Sequence, residues 1–400
     1  MTRTGTLLFA TCRALSRNVR HASPWFIPVS GGVQKDVPIE AFLADYSNNF
    51  FDDTITANDP TVARLRDGLL AGQRSSLACA ITLVESTHPK KRAQGNVLLQ
   101  EMLKEEKRRF EQKGVDSLIF RIAISGSPGV GKSSFIEALG MELTEKRGKR
   151  VAVLTIDPSS QVTGGSLLGD LTRMQELSRT PRAFIRQSPS CGALGGVTRG
   201  IHEAIILCEG AGFDVVIIET VGVGQSETSV VDMCDMLTLL LSPAHGDELQ
   251  GVKRGIMEMS DLLVVTKDDG DLKAKAKLAQ AEYISALKYM RPRSKEWRPK
   301  VLRSSILDAD SVSAVWDECE EYWKTIAKTG VLLQRRDNQM RKCMWKHVEE
   351  QLMVLFSRHP RLATMTRDME ERVRRAEITP GQAADTLVRT FFGIKAAGEH

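Results

Sequence analysis

The chain has 400 residues, 42% of them apolar, and carries 55 Lys and Arg against 50 Asp and Glu. That length is too great for one ordinary domain and predicts a large core with helical appendages. Five bases (Arg3, Arg13, Arg17, Arg20 and Lys35) fall in residues 1–35, which hold no acid. The remainder is therefore formally neutral, without the basic footprint of a nucleic-acid binder. No apolar run nears the roughly 18 residues of a spanning helix, so neither a nucleic acid nor a membrane is an expected partner.

Residues 1–35 are Arg-rich, Ser/Thr-bearing and acid-free, with Leu7, Leu8 and Phe9 ahead of spaced arginines. They read as a mitochondrial transit peptide, with the matrix as the expected destination. Residues 36–118 read as an N-terminal helical extension, because Val62, Leu65 and Leu69, then Leu77, Ala80, Ile81 and Val84, recur at three and four. Over 119–328 short apolar runs alternate with amphipathic stretches, which predicts an α/β domain with a mostly parallel wound sheet. Its expected strands are Phe120 to Ile124, Val151 to Ile156, Ala183 to Ile185, Asp214 to Ile218, Met236 to Leu241, Asp261 to Thr266 and Lys300 to Arg303.

Residues 329–400 read as helical again. Met340, Met344, Trp345, Val348 and Leu352 form an apolar stripe that either packs on the chain's own core or takes a partner surface. The seven cysteines (12, 79, 191, 208, 234, 319 and 343) contain no CxxC pair and read as reduced thiols.

The strongest motif is GSPGVGKSS: Gly126, Ser127, Pro128, Gly129, Val130, Gly131, Lys132, Ser133 and Ser134. It follows a predicted strand and opens a predicted helix. Small residues there let backbone N–H groups converge on phosphate oxygens at a helix N-terminus. Lys132 is the expected charge on the β and γ phosphates, and Ser133 the expected hydroxyl ligand of Mg²⁺.

The run Val215 to Ile218 ends in Glu219, the expected metal-region acid, with Gly222 placed to bring a backbone N–H to the γ-phosphate. Val151 to Ile156 ends in Asp157, and a Ser/Gly-rich stretch leads to Asp170. These two carboxylates suit a Mg²⁺ shell or a switch, although either could cap a helix. Base choice rests on TKDD. Asp269 can accept from the N1–H and N2–H₂ of guanine, a pair adenine lacks, while the stem of Lys267 lies along the base. The chain is therefore expected to bind GTP and GDP with Mg²⁺ and to hydrolyse GTP.

The water-positioning residue is the least legible. Val223, not glutamine, follows Gly222, and Gln225 is the candidate. Slow intrinsic turnover follows, well below the usual median of about 10 per second. Arg173, Arg186 and Arg199 are further candidates for phosphate contact, though surface roles suit each of them.

GSPGVGKSS, TIDPSS, GGSLLGD, ALGGVTR, ETVGVGQSE, GDELQGVKRGI and TKDDGDL together resemble the cobalamin-associated P-loop GTPases that chaperone methylmalonyl-CoA mutase, the mitochondrial methylmalonic aciduria type A family. The resemblance runs from about Asp67 to the segment holding Pro380, Gly381 and Ala383. It implies that Asp157, Asp170 and Glu219 are metal-region acids and that Gly246 to Gly255, with Asp247, Glu248 and Lys253, is a switch communicating with the mutase. It also implies a homodimer through the C-terminal helices. The implied work is gating adenosylcobalamin delivery to the mutase and protecting or reactivating it, the cobalamin belonging to the mutase.

The chain departs from that pattern in two motifs. Ser305, Ile306 and Leu307 stand where the family has SA and a basic residue in its second base-contacting motif, and His245 replaces a glycine of the switch. The alternatives are a nickel-type metallochaperone GTPase, which would need the seven scattered histidines to cluster, a small-metabolite ATP kinase, and a scaffold that uses nucleotide only structurally. Asp269 argues against the kinase, and three metal-region acids against the scaffold.

Overall fold

A computed structural model describes residues 52–86, 88–157, 174–189, 196–220, 230–243 and 254–394. Residues 1–35, expected to be a transit peptide, Asp170, Arg173, Gly222, Gln225, His245 and residues 246–253 of the implied switch lie outside them. Seven strands form one sheet: β1 (Phe120–Gly126), β2 (Val151–Asp157), β3 (Ala183–Pro189), β4 (Val215–Glu219), β5 (Met236–Leu241), β6 (Leu262–Val265) and β7 (Lys300–Arg303). Their order is β3-β2-β4-β1-β5-β6-β7, and every pairing is parallel.

The apolar runs are continuous because both sheet faces are covered. Alternate residues serve opposite layers. Ala123, Val216, Ile218, Leu237 and Leu239 enter one core with Leu65, Leu77, Ile81, Leu98 and Ile205. Ile122, Ile124, Ile217, Met236 and Leu240 enter the other with Phe135, Ile136, Trp316 and Tyr322.

The first layer is built on α1 (Pro60–Leu70), α2 (Arg74–Val84), α3 (Pro89–Lys113) and α6 (Gly196–Gly210); the second on α4 (Lys132–Met141) and α9 (Ala309–Lys328). The short α5 (Gln175–Arg179), then α7 (Arg254–Met259) and α8 (Lys273–Leu287), complete the crossovers. The helical preface begins at Asp59, which caps α1 by accepting from Thr61 and Val62 and ties it to α3 through Gln94.

Strand ends differ from the sequence expectation in both directions. β1, β2 and β4 run on to include Gly126, Asp157 and Glu219, because each ladder has a parallel neighbour to extend against. β6 instead stops short of Asp261 and Thr266. Asp261 turns its carboxylate to the backbone N–H of Leu237 and to Arg293, and Thr266 is drawn into the site.

Contacts divide the chain into two compact units, Ala44–Cys191 with Gly195–Glu349, and a second whose described part is 350–394. The helix α10 (Val331–Arg358) begins in the first. In the second, α11 (Pro360–Arg374) and α12 (Pro380–Phe391) pack together; a reciprocal Thr379–Gln382 box caps α12, and Phe391 sits 5.3 Å from Phe356.

Beneath the N-terminal ends of β1 and β5 lies a buried charge network. Arg336 of α10 grips Asp235 with two hydrogen bonds of 2.8 and 3.0 Å, and Arg121 of β1 grips Glu209 of α6 at 2.9 Å. Burial alone would raise the Asp235 carboxyl, but Arg336 and Arg121 outweigh it and hold the acid below its ordinary range. Glu106 of α3, beside this network, is the exception. Burial, helped by the Glu209 charge, raises it to about 7.

A carboxyl raised in the folded state adds stability that is complete below its ordinary pKa and is lost as pH rises through the folded value. The stability of Glu106→Gln relative to the parent should therefore grow between about pH 5 and about pH 8. Urea midpoints at the two pH values check this, and a difference independent of pH contradicts it.

Candidate functional site

The candidate site lies along the C-terminal edge of the sheet, where β1 sits between β4 and β5. In wound α/β sheets ligands gather at such reversals of strand order. Gly126 ends β1 with φ 154°, and a Cβ there would stand 2.6 Å from the carbonyl oxygen of Leu240, so only glycine lets the loop leave the sheet. Gly129 and Gly131 follow with φ 82° and 95°, and Gly131 caps α4 in the left-handed region. The loop thus ends on the N-terminus of a helix whose first residue is Lys132. The Lys132 ammonium folds back over the loop, donating to the carbonyls of Gly126 (2.7 Å) and Ser127 (3.2 Å).

β4 delivers Glu219 directly beside this helix. Its register partner is Ile124, and Thr220 continues the pairing by donating to the Ile124 carbonyl. Glu219 is only 8% exposed, and its Oε1 accepts from the Ser133 hydroxyl at 2.8 Å. Asp157 ends the adjacent β2, two residues beyond Thr155, which is in register with Glu219. A serine hydroxyl and a buried carboxylate are hard oxygen donors, the set that suits Mg²⁺ with substrate phosphates completing its shell. Asp170, Gly222 and Gln225 were expected here too and lie outside the described residues.

The base-reading loop is sewn to the phosphate loop. Thr266 Oγ1 donates to Val130 O at 2.9 Å, and Lys267 Nζ donates to Gly129 O at 2.9 Å. Lys267 adopts φ 58°, a left-handed conformation that costs a non-glycine residue roughly 1–2 kcal/mol. The hydrogen bond of its ammonium offsets part of that cost. Beyond it, Asp269 Oδ2 accepts from Ser305 Oγ at 2.5 Å, and the same Oγ accepts from the N–H of Leu307 at 3.1 Å.

Ser305, Ile306 and Leu307 therefore flank the aspartate expected to read guanine, with Ile306 and Leu307 exposed. Two residues were not singled out from sequence. Asp268 pairs with Arg303 at 3.0 Å and donates its N–H to the carbonyl of Ser304, locking the loop after β6 to the loop after β7. Two adjacent acids in TKDD and an arginine ending a strand were the available signal. Arg186 pairs with Glu85 of the helical preface at 2.7 Å.

A family model described as methylmalonyl-CoA mutase-associated GTPase MeaB matches residues 77–361. A protein of Caenorhabditis elegans described as a mitochondrial methylmalonic aciduria type A homologue is 64% identical over 98% of this chain and 98% of its own length. Its counterpart in Mus musculus is 48% identical over 91% of this chain and 86% of its own. A solved structure described as a LAO/AO transport system kinase superposes with a TM-score of 0.65 at 34% identity, covering 84% of this chain and 99% of that one.

Ser305→Ala deprives Asp269 of its orienting hydrogen bond and should weaken GDP binding about tenfold, the loss of roughly 1.4 kcal/mol. Ile306→Ala, which trims the exposed side chain beside the same aspartate, should tighten it. Titration calorimetry with GDP checks both, and unchanged affinity in Ser305→Ala contradicts the role given to the serine.

Proposed function

The chain belongs to the MeaB family of methylmalonyl-CoA mutase-associated GTPases, and from that premise we propose that it is a GTP-driven chaperone of methylmalonyl-CoA mutase, gating adenosylcobalamin delivery and protecting or reactivating the enzyme. The mutase part of this reading rests on the family's description. The cofactor belongs to the mutase, and no residue of this chain is assigned to it. The mitochondrial matrix is the proposed location, supported by the acid-free arginine-bearing leader and by relatives described as mitochondrial.

In the proposed division of labour the N–H groups of Gly129 to Ser134 and the Lys132 ammonium hold the β and γ phosphates. Asp269, steadied by Ser305, accepts from the guanine edge. Ser133 and Glu219, with Asp157 and Asp170, hold Mg²⁺, which when bound neutralises charge on the phosphate oxygens. Gly222 contacts the γ-phosphate and Gln225 orients water. The Ser133 hydroxyl and the Glu219 carboxylate already touch at 2.8 Å, which ties the phosphate loop to the end of β4.

The same reading includes a homodimer. Along α10, Met344, Trp345 and Leu352 are 53%, 61% and 55% exposed, forming an apolar stripe with Met340 and Val348 on a single helix. Sedimentation should give about twice the 44.3 kDa chain mass, and a Met344→Glu, Leu352→Glu double variant should give the monomer. A monomeric parent chain contradicts the dimer.

The experiment that tests the chaperone reading follows purified mutase through prolonged turnover with adenosylcobalamin. Its activity should persist with this chain and GTP, and decay at the unprotected rate with Lys132→Ala. Equal decay in all arms overturns the reading.

A further inference from the structure

The inner face of α10 passes a small cavity of about 60 Å³ on the far side of the fold from the nucleotide loops, lined by His202, Gln339, Lys342, Cys343 and Lys346 among others. None of these residues has a part in nucleotide binding. Cys343 is half-buried, and its Sγ stands 3.4 Å from Nε2 of His347, the residue one helical turn on. Lys342, Lys346 and Asp232 share the cavity wall with it, and Lys342 reaches Asp232 at 2.8 Å. An imidazole nitrogen within reach of a thiol can take its proton, and the thiolate is the nucleophilic form of the side chain.

The second observation is Gln339, one turn before Cys343 and 4% exposed. Its amide nitrogen is committed to the carbonyls of Cys234 (2.7 Å) and Val231 (3.2 Å), which fixes the orientation of the group. Its Oε1 is buried with no hydrogen-bond partner among the described residues. A buried acceptor so placed calls for a donor from something inside the cavity. The volume admits a few water-sized groups, a small hydroperoxide among them, since a water needs about 10–15 Å³ of such space, and is far too small for a peptide or a nucleotide.

The remaining described thiols differ. Cys208, Cys234 and Cys319 are fully buried, and burial pushes their pKa values up, that of Cys234 to about 12. Cys79 is exposed.

We propose that Cys343 is a peroxide-reactive thiol activated by His347, forming a sulfenic acid whose hydroxyl donates to Gln339 Oε1 in this cavity. His347, in the tautomer with a bare Nε2, takes the thiol proton. The thiolate attacks one oxygen of a hydroperoxide; the S–O bond forms as the O–O bond breaks. The departing hydroxide, or alkoxide for an organic hydroperoxide, takes the proton back from His347 and leaves as water or alcohol. Sulfur is oxidised by two electrons and the peroxide reduced by two, with no further reactant. The Arg336 and Gln339 face of α10 is bonded to the core, so oxidation here acts on the helix that carries the exposed apolar stripe.

The test exposes the full chain to hydrogen peroxide, traps sulfenic acid with dimedone and quantifies each cysteine by mass spectrometry, with Cys79 as the reference inside the same molecule. Cys343 should be trapped about tenfold faster than Cys79 near neutral pH, the advantage of a thiol with an imidazole within reach to take its proton. His347→Gln should bring Cys343 down to the Cys79 rate while GTP turnover is unchanged. Equal rates in the parent chain, or a Cys343 rate indifferent to His347→Gln in a variant that still hydrolyses GTP, overturn the proposal. Should that variant fail to fold, the ratio in the parent chain decides.

Discussion

The hydrogen bond from Thr266 to the carbonyl of Val130 is the point on which the candidate site depends. A phosphate loop and a base-reading loop arise from strands that are not neighbours, β1 and β6 with β5 between them. Independent movement of the two would let a triphosphate bind without its base being read. The buried Thr266 hydroxyl, assisted by the ammonium of Lys267 on Gly129, makes them one surface. The left-handed backbone at Lys267 is the conformational cost of that stitch. Asp268 with Arg303 and Asp269 with Ser305 then extend the same surface to the loop after β7.

The two edges of the sheet divide the labour. At the C-terminal edge stand the glycines of the loop after β1 and the Glu219 carboxylate, which meets the Ser133 hydroxyl. At the N-terminal edge, Arg121, Asp235, Glu209 and Arg336 close on one another and fasten α6 and α10 beneath the strands. A buried pair of this kind is weak evidence for stability, because desolvation opposes the Coulombic gain, but removing one partner leaves an uncompensated charge. The network therefore fixes where α10 starts, and through it the helix face that carries Cys343 and the face that stays apolar and exposed.

Much of this was legible in the sequence for a definite reason. A parallel sheet covered on both faces writes its strands as uninterrupted apolar runs, and those of β5 and β7 match the structure to the residue. GSPGVGKSS was legible because the glycine positions follow from backbone geometry, shown at Gly126 by its 2.6 Å approach to Leu240 O. The pairing of Ser133 with Glu219, 86 residues apart, was inferred only as a shared metal region; the register of β1 with β4 makes it a contact.

What the sequence did not reveal are interactions whose partners carry no periodicity. Arg303 with Asp268, Thr266 with Val130, and the four-residue charge network under the sheet join positions remote in the chain by chance of topology. Arg186 was read as a candidate for phosphate contact or for a surface role; it pairs with Glu85 of the helical preface at 2.7 Å, a partner that nothing in the sequence pattern marks.

The central claim is that one continuous surface, from Gly126 to Ser305, selects a guanine nucleotide. Titration of the chain with GDP, GTP and ATP in Mg²⁺, beside the Asp269→Asn variant, tests it most directly. The account predicts tight guanine binding, no comparable binding of ATP, and loss of the guanine preference in the variant; equal affinity for ATP, or a preference untouched by Asp269→Asn, would contradict it.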